Sequence, residues 1–190
     1  MRVLGVAGSP RRNGNTDVLL AEFLRGAADK GAETKTIVLN RMKFVGCQHC
    51  DACLKDGECI LKDDMRDIYP EFEKADVIVL ASPMQFMDMT APMKAMIDRF
   101  QAKWVNKYVL KRPPLGEDKP RKGFLIAVGG TKYKNLFDAI LLVVKTFFII
   151  IDVEYAGDML IRSVDELGAI NDHPEYLKQA YEAGQKLAER

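Results

Sequence analysis

The chain has 190 residues, 48 % hydrophobic and 29 % charged, with a formal net charge of +1. That length favours one domain over 1–190 with enough apolar material for its own core, and near-neutrality argues against a nucleic-acid or membrane specialist. The start, Val3-Leu4-Gly5-Val6-Ala7 before Gly8-Ser9-Pro10, has neither the apolar core nor the cleavage site of a signal peptide, so the expected location is the cytoplasm.

In chain order, strand-like runs fall at 3–7, 34–39, 76–81, 123–128 and, less clearly, 153–161. Helical periods lie between them. Leu19, Leu20, Phe23, Leu24 and Ala27 mark the first; Met93, Met96, Ile97 and Phe100 mark another; a third covers 136–148, and the last runs from about 175 to 187 behind His173-Pro174. The stretch 140–151, broken by Lys145 and Thr146, is shorter than the roughly 20 residues that cross a bilayer. It reads as a buried helix or an oligomer contact. Strands alternating with helices predict an α/β fold, a doubly wound five-stranded parallel sheet with helices on both faces. Val77-Ile78-Val79-Leu80 is apolar throughout, as a central strand buried on both sides should be.

Such sheets bind ligands beyond the carboxyl ends of their strands, and three loops there have unusual compositions. The first, Gly8 to Thr16, offers hydroxyl and amide side chains, Arg11, Arg12 and a helix N-terminus, the makings of a phosphate cradle. Its glycines do not read as a dinucleotide fingerprint, and no Lys-Ser or Lys-Thr follows Gly14, so a flavin mononucleotide (FMN) suits it better than a dinucleotide or a nucleoside triphosphate. A plain Asn-Gly turn with a helix cap accounts for Asn13 to Thr16 but not for the two arginines. The second loop, Ser82 to Thr90, carries Met84, Phe86, Met87 and Met89, which suit a flat apolar ring or, alternatively, the core or a subunit contact. The third, Gly129-Gly130-Thr131, allows a close backbone approach or a simple turn.

All four cysteines fall in one stretch, Cys47, Cys50, Cys53 and Cys59. Two-residue spacings let consecutive thiolates face a common centre, which favours iron and sulfide. Zinc is the main alternative, although its knuckles are usually separated by about a dozen residues or more; disulfides and scattered apolar thiols fit less well. His49 reads as a solvent-facing loop side chain. A segment at about 103–122 collects Lys107, Lys111, Arg112, Lys119, Arg121 and Lys122 among prolines, a solvated loop or a dock for an acidic electron carrier.

Taken together, Gly8-Ser9-Pro10-Arg11, the cysteine run with Lys62-Asp63-Asp64-Met65, the Ser82-Pro83 loop and Lys94 to Arg99 resemble the iron-sulfur flavoproteins, within the NADPH-dependent FMN reductase group of flavodoxin-like proteins. The resemblance implies FMN at the strand ends and a [4Fe-4S] cluster in the loop after the second strand, at about 44–64. Carried onto this sequence, Cys47, Cys50, Cys53 and Cys59 would hold the cluster. Ser9, Arg11, Asn13, Asn15 and Thr16 would surround the phosphate, while Pro83, Met84, Gln85 and Phe86 would run beside the ribityl chain and ring, with Gly129 and Gly130 as the third contact. Relatives carry a tyrosine and a second aromatic where this chain has Gln85 and Phe86. The implied activity is electron transfer from a ferredoxin-like donor to a small acceptor such as oxygen, peroxide or a quinone, in a homo-oligomer (dimer or tetramer). Two other readings are an NAD(P)H-dependent FMN or quinone reductase without a cluster, and a non-enzymatic redox-sensing module.

Overall fold

Successive residues of a strand point to opposite faces of its sheet, and here each face of the central strands carries its own core. In β1 (Arg2–Ala7), Val3 and Ala7 turn toward one cluster and Leu4 and Val6 toward the other. In β3 (Val77–Pro83), Val77 and Val79 oppose Ile78 and Leu80 in the same way. With β2 (Glu33–Val38), β4 (Lys122–Gly129) and β5 (Glu154–Arg162) they form one parallel sheet in the order β2-β1-β3-β4-β5, the flavodoxin-like arrangement. The structure, a computed structural model, describes residues 1–189.

Helices α1 (Asn15–Asp29) and α6 (Pro174–Ala188) cover one face, and α2 (Met65–Lys74), α3 (Ala91–Arg99) and α5 (Asp138–Ile150) the other. On the second face Tyr69, Phe72, Phe100 and Phe147 pack with ring centroids 4.7–6.2 Å apart. Each such fully buried ring contributes about 1.5–3 kcal/mol. On the first face two glycines let helix backbones touch: a Cβ on Gly184 would stand 1.9 Å from the Phe23 carbonyl oxygen, and one on Gly26 2.0 Å from that of Tyr181.

The five strands coincide closely with the apolar runs. Two helices were not expected. Helix α2 carries Pro70 inside it, which removes one helical hydrogen bond, and α4 (Gln101–Tyr108) opens the basic segment that reads as a loop. Packing decides both, because Ile68, Phe72, Ala102 and Val105 are buried. In α5 the stripe Ile140, Val144, Phe147 and Phe148 is buried, whereas Leu142 and Ile149 are 70 % and 62 % exposed. Among the described residues no helix is long and apolar enough to cross a membrane.

The strand order reverses between β1 and β3, so the loops leaving them emerge side by side. They are tied together: the Gly8 amide donates to the Ala81 carbonyl at 2.8 Å, Thr90 Oγ1 donates to the Gly8 carbonyl at 2.7 Å, and the Thr90 amide donates to Ser82 Oγ at 3.0 Å.

Candidate functional site

At this reversal a cavity of about 200 Å³ opens, bordered by Ser9, Arg11, Asn15, Thr16, Pro83, Met84, Gln85, Gly129 and Gly130. Ser9 shapes the first loop, its Oγ accepting from the Arg11 amide (3.1 Å) and donating to the Arg11 carbonyl (3.0 Å). Gly14 then leads into α1 without any capping side chain. The first-turn amides of a helix are orphans, and here they carry the positive end of the helix dipole toward the cavity. Thr16, 1 % exposed, adds a buried hydroxyl whose Oγ1 has no partner. A buried hydroxyl left unpaired costs about 1–3 kcal/mol, so an oxyanion at this helix end would supply what the fold leaves open.

Other residues of the first loop have work within the fold. Arg11 Nη1 donates to the Asp165 carbonyl at 3.1 Å; Asn15 Nδ2 donates to the Glu166 carbonyl at 2.9 Å, and Asn15 Oδ1 accepts from the Ile170 amide at 3.2 Å. The β5–α6 loop thereby closes the cavity, a role that nothing in the local sequence of Asp165 and Glu166 signals. Asn13, at φ 53°, lies outside this cavity and borders a neighbouring one of about 520 Å³ together with Arg11, Arg12 and Arg41. The tight glycine contacts are with the protein itself: a Cβ on Gly130 would meet Asp165 at 2.7 Å, and one on Gly129 would meet Leu136 at 2.6 Å.

Phe86 stands away from the cavity and is fully exposed. It occupies a two-residue turn in which Gln85 and Asp88 exchange backbone hydrogen bonds of 2.8 and 3.0 Å. Phe86 and Met87 both have positive φ, 48° and 71°, the geometry of a type I′ turn, which favours Asn and Gly.

The cysteine loop leaves the end of β2. Residues 43–51 carry neither helix nor strand, and His49 and Asp51 adopt left-handed backbone conformations (φ 50° and 58°) that turn the chain between cysteines. The His49 amide points to Cys47 Sγ at 3.4 Å, and the His49 side chain is exposed. All four thiols are free and border one shared cavity with about 20 Å³ of open space, room for about one water molecule. Burial pushes the Cys53 thiol up, and the neighbouring Cys59, Cys47 and Cys50 add to it. Among the described residues no three His, Cys, Asp or Glu side chains are gathered closely enough for a single metal ion.

Three clamps hold this loop. Asp63 accepts from Arg99 Nη1 at 2.6 Å and Nη2 at 3.1 Å, and from the amides of Val45 (3.4 Å) and Met65 (3.2 Å). Asp64 Oδ2 accepts from the Lys43 amide at 2.6 Å, and Asn106 Nδ2 donates to the Gly57 carbonyl at 3.2 Å. Burial works against ionisation of Asp63, but Arg99 and the two amides hold its carboxyl below the usual carboxylate range. Arg99 is wholly buried and borders the thiol cavity. Neither Asp63 nor Arg99 was singled out as a site residue; 36 positions apart, their pairing leaves no local pattern.

The basic segment is largely engaged in the fold. Lys119 pairs with Asp76 at 2.8 Å, Lys107 pairs with Asp152, Arg112 reaches the Asp56 carbonyl at 3.3 Å, and Arg121, 3 % exposed, is surrounded by backbone carbonyls including those of Ala75 and Glu73. Lys111 and Lys122 remain exposed.

An anion-friendly loop at the reversal point and a clamped four-thiol loop are a combination that can be compared with known proteins. Residues 1–136 match the NADPH-dependent FMN reductase family. The chain belongs to that family. An iron-sulfur flavoprotein of Archaeoglobus fulgidus is 38 % identical over 130 residues, 68 % of this chain and 63 % of its own length. One of Methanosarcina thermophila is 30 % identical over 132 residues, 70 % of this chain and 65 % of its own length. The matched stretch thus spans under two thirds of each relative. An FMN-dependent NADH-azoreductase of Bacillus anthracis, solved in complex with FMN, shares the fold with a TM-score of 0.71 at 14 % identity, covering 100 % of both chains.

Proposed function

We propose that this chain is a cytoplasmic iron-sulfur flavoprotein that passes electrons between a ferredoxin-like one-electron donor and a small acceptor such as oxygen, peroxide or a quinone. The observation that carries it is the pairing, on the loops after β1 and β2, of an anion cradle with an orphaned buried hydroxyl and a cavity bordered by four free thiols. FMN would supply exchange of electrons singly or in pairs, and a [4Fe-4S] cluster exchange of one at a time.

The residues fit these groups. Thr16 Oγ1, the uncapped amides of α1 and Arg11 face the position a phosphate would take, and Met84 and Gln85 line the way toward the ring. Ser9 keeps the loop in shape, while Asn15 anchors the β5–α6 loop across the cavity. Cys47, Cys50, Cys53 and Cys59 would hold the cluster. The thiols border a cavity with about 20 Å³ of open space, so the loop must open to take the cluster. Making room for it spreads residues 43–51 without breaking helix or strand, and the outermost thiol, Cys50, is already exposed. The exposed Leu142 and Ile149 of α5 support assembly as a dimer or tetramer.

A second reading, direct reduction by a nicotinamide dinucleotide, is favoured by the cavity beside the cradle, where Arg11, Arg12 and Arg41 suit further phosphates. One preparation separates the readings: purify the chain without oxygen and measure FMN, iron, labile sulfide and zinc, then reduce it with ferredoxin or with NADPH. About four irons and four sulfides per chain with one FMN are expected, with ferredoxin the faster donor. Zinc without sulfide would overturn the cluster, and rapid turnover with NADPH that is indifferent to Cys47→Ala would favour the second reading.

A further inference from the structure

One buried cation borders the thiol cavity. Arg99 closes α3 with its side chain fully shielded from solvent. Its Nη1 donates to Asp63 Oδ2 at 2.6 Å and to the Val45 carbonyl at 2.9 Å, and its Nη2 donates to Asp63 Oδ1 at 3.1 Å. The outer fork of the guanidinium is thus filled. The remaining nitrogen, Nε, is buried with no acceptor in the protein. A charged donor left unpaired in the interior costs more than the roughly 1–3 kcal/mol of a neutral one, so this N–H is an opening for a ligand.

The surroundings say which ligand. Arg99 shares its cavity with Cys47, Cys50, Cys53 and Cys59, and Cys59 is the thiol near enough to favour its charged form. It cannot turn away, because Asp63 grips it while also accepting from the Val45 and Met65 amides at the two ends of the cysteine loop. Asp63 also offsets the net charge, so what reaches the thiols is a directed N–H dipole.

We propose that Arg99 is a positioning residue that donates through Nε to the sulfur of Cys59 and raises the reduction potential of the cluster held there. The inference rests on the cluster reading given above. Reduction adds one electron, with no bond formed or broken and no proton taken up, and the added negative charge spreads over the sulfurs. A fixed donor to sulfur favours the more negative state. Lysine, a single point charge, can pair with Asp63 but cannot fill the fork and present a second N–H to sulfur.

The test uses the full chain, reconstituted anaerobically with iron and sulfide, its potential read by EPR-monitored redox titration. In Arg99→Lys with the iron, sulfide and FMN content of the unaltered chain, the reduced-to-oxidised ratio at a fixed poise falls about tenfold, a potential lower by about 59 mV. In the unaltered chain carrying arginine labelled with ¹⁵N at Nε, pulsed EPR of the reduced cluster shows a ¹⁵N coupling. A loaded lysine variant with the original potential overturns the proposal, and so does a labelled spectrum without that coupling, which decides alone if the variant does not load. Failure of the unaltered chain to take up iron and sulfide overturns the cluster reading instead, and is seen before any variant is made.

Discussion

Replacing Thr16 by valine separates binding from folding. Valine keeps the branched shape and removes only Oγ1, the buried hydroxyl that has no partner. In the flavin-free protein nothing is lost, and removing an unpaired hydroxyl leaves stability unchanged or raised by up to about 3 kcal/mol. With FMN bound, the same change deletes a hydrogen bond to a charged phosphate, worth about 1.5–3 kcal/mol. At 1.4 kcal/mol per decade, the FMN dissociation constant rises about ten- to hundredfold. Fluorescence titration measures it, and riboflavin, which lacks the phosphate, is the control, expected to bind both proteins alike. Unchanged FMN affinity, or an equal loss for riboflavin, would refute the placing of the phosphate at Thr16.

Gly184→Ala must part α1 and α6, since its Cβ would stand 1.9 Å from the Phe23 carbonyl oxygen; the overpacking cost of about 1–3 kcal/mol or more exceeds the roughly 1 kcal/mol gained in helix propensity, and urea unfolding should show a net loss. Asp63→Asn leaves the Arg99 charge buried without its partner and should cost about 3 kcal/mol by the same measure. Because Arg99 holds the folded Asp63 carboxyl below its ordinary range, its stabilisation is present at neutral pH and lost as pH falls through the folded-state value. Denaturation from pH 7 downward should therefore show a shallower acid decline in Asp63→Asn. Cys53→Ser should lower iron and sulfide per chain while FMN content stays the same, as absorbance and metal analysis would show.

The strands were legible because runs such as Val77 to Leu80 are apolar on both sides, and their alternation with helices carried the topology. Helix α2 was hidden by Pro70 and by the charges around it, and α4 because Lys103 and Lys107 read as solvated; in the fold Lys103 is 4 % exposed and pairs with Glu73 at 2.9 Å. The same partners explain why most of the basic segment is not a free charged strip. Of the site, the loops and the cysteines were readable from composition and spacing, since each is contiguous. The Asp63–Arg99 clamp and the carbonyls of Asp165 and Glu166 were not, because long-range pairing and backbone groups have no local signature. Phe86 was misleading for a different reason: its residue type suits a ring, but the left-handed turn carries the side chain outward.

That turn sets two demands against each other. Two left-handed residues that are neither glycine nor asparagine cost about 1–3 kcal/mol each, so a laboratory selection for heat resistance alone would drift quickly toward Asn-Gly at 86 and 87. The drift would remove a wholly exposed aromatic that stands outside the candidate flavin cavity. Variants recovered from such a screen would be sturdier proteins with a less apolar surface, and positions 86 and 87 are where that exchange would first be seen.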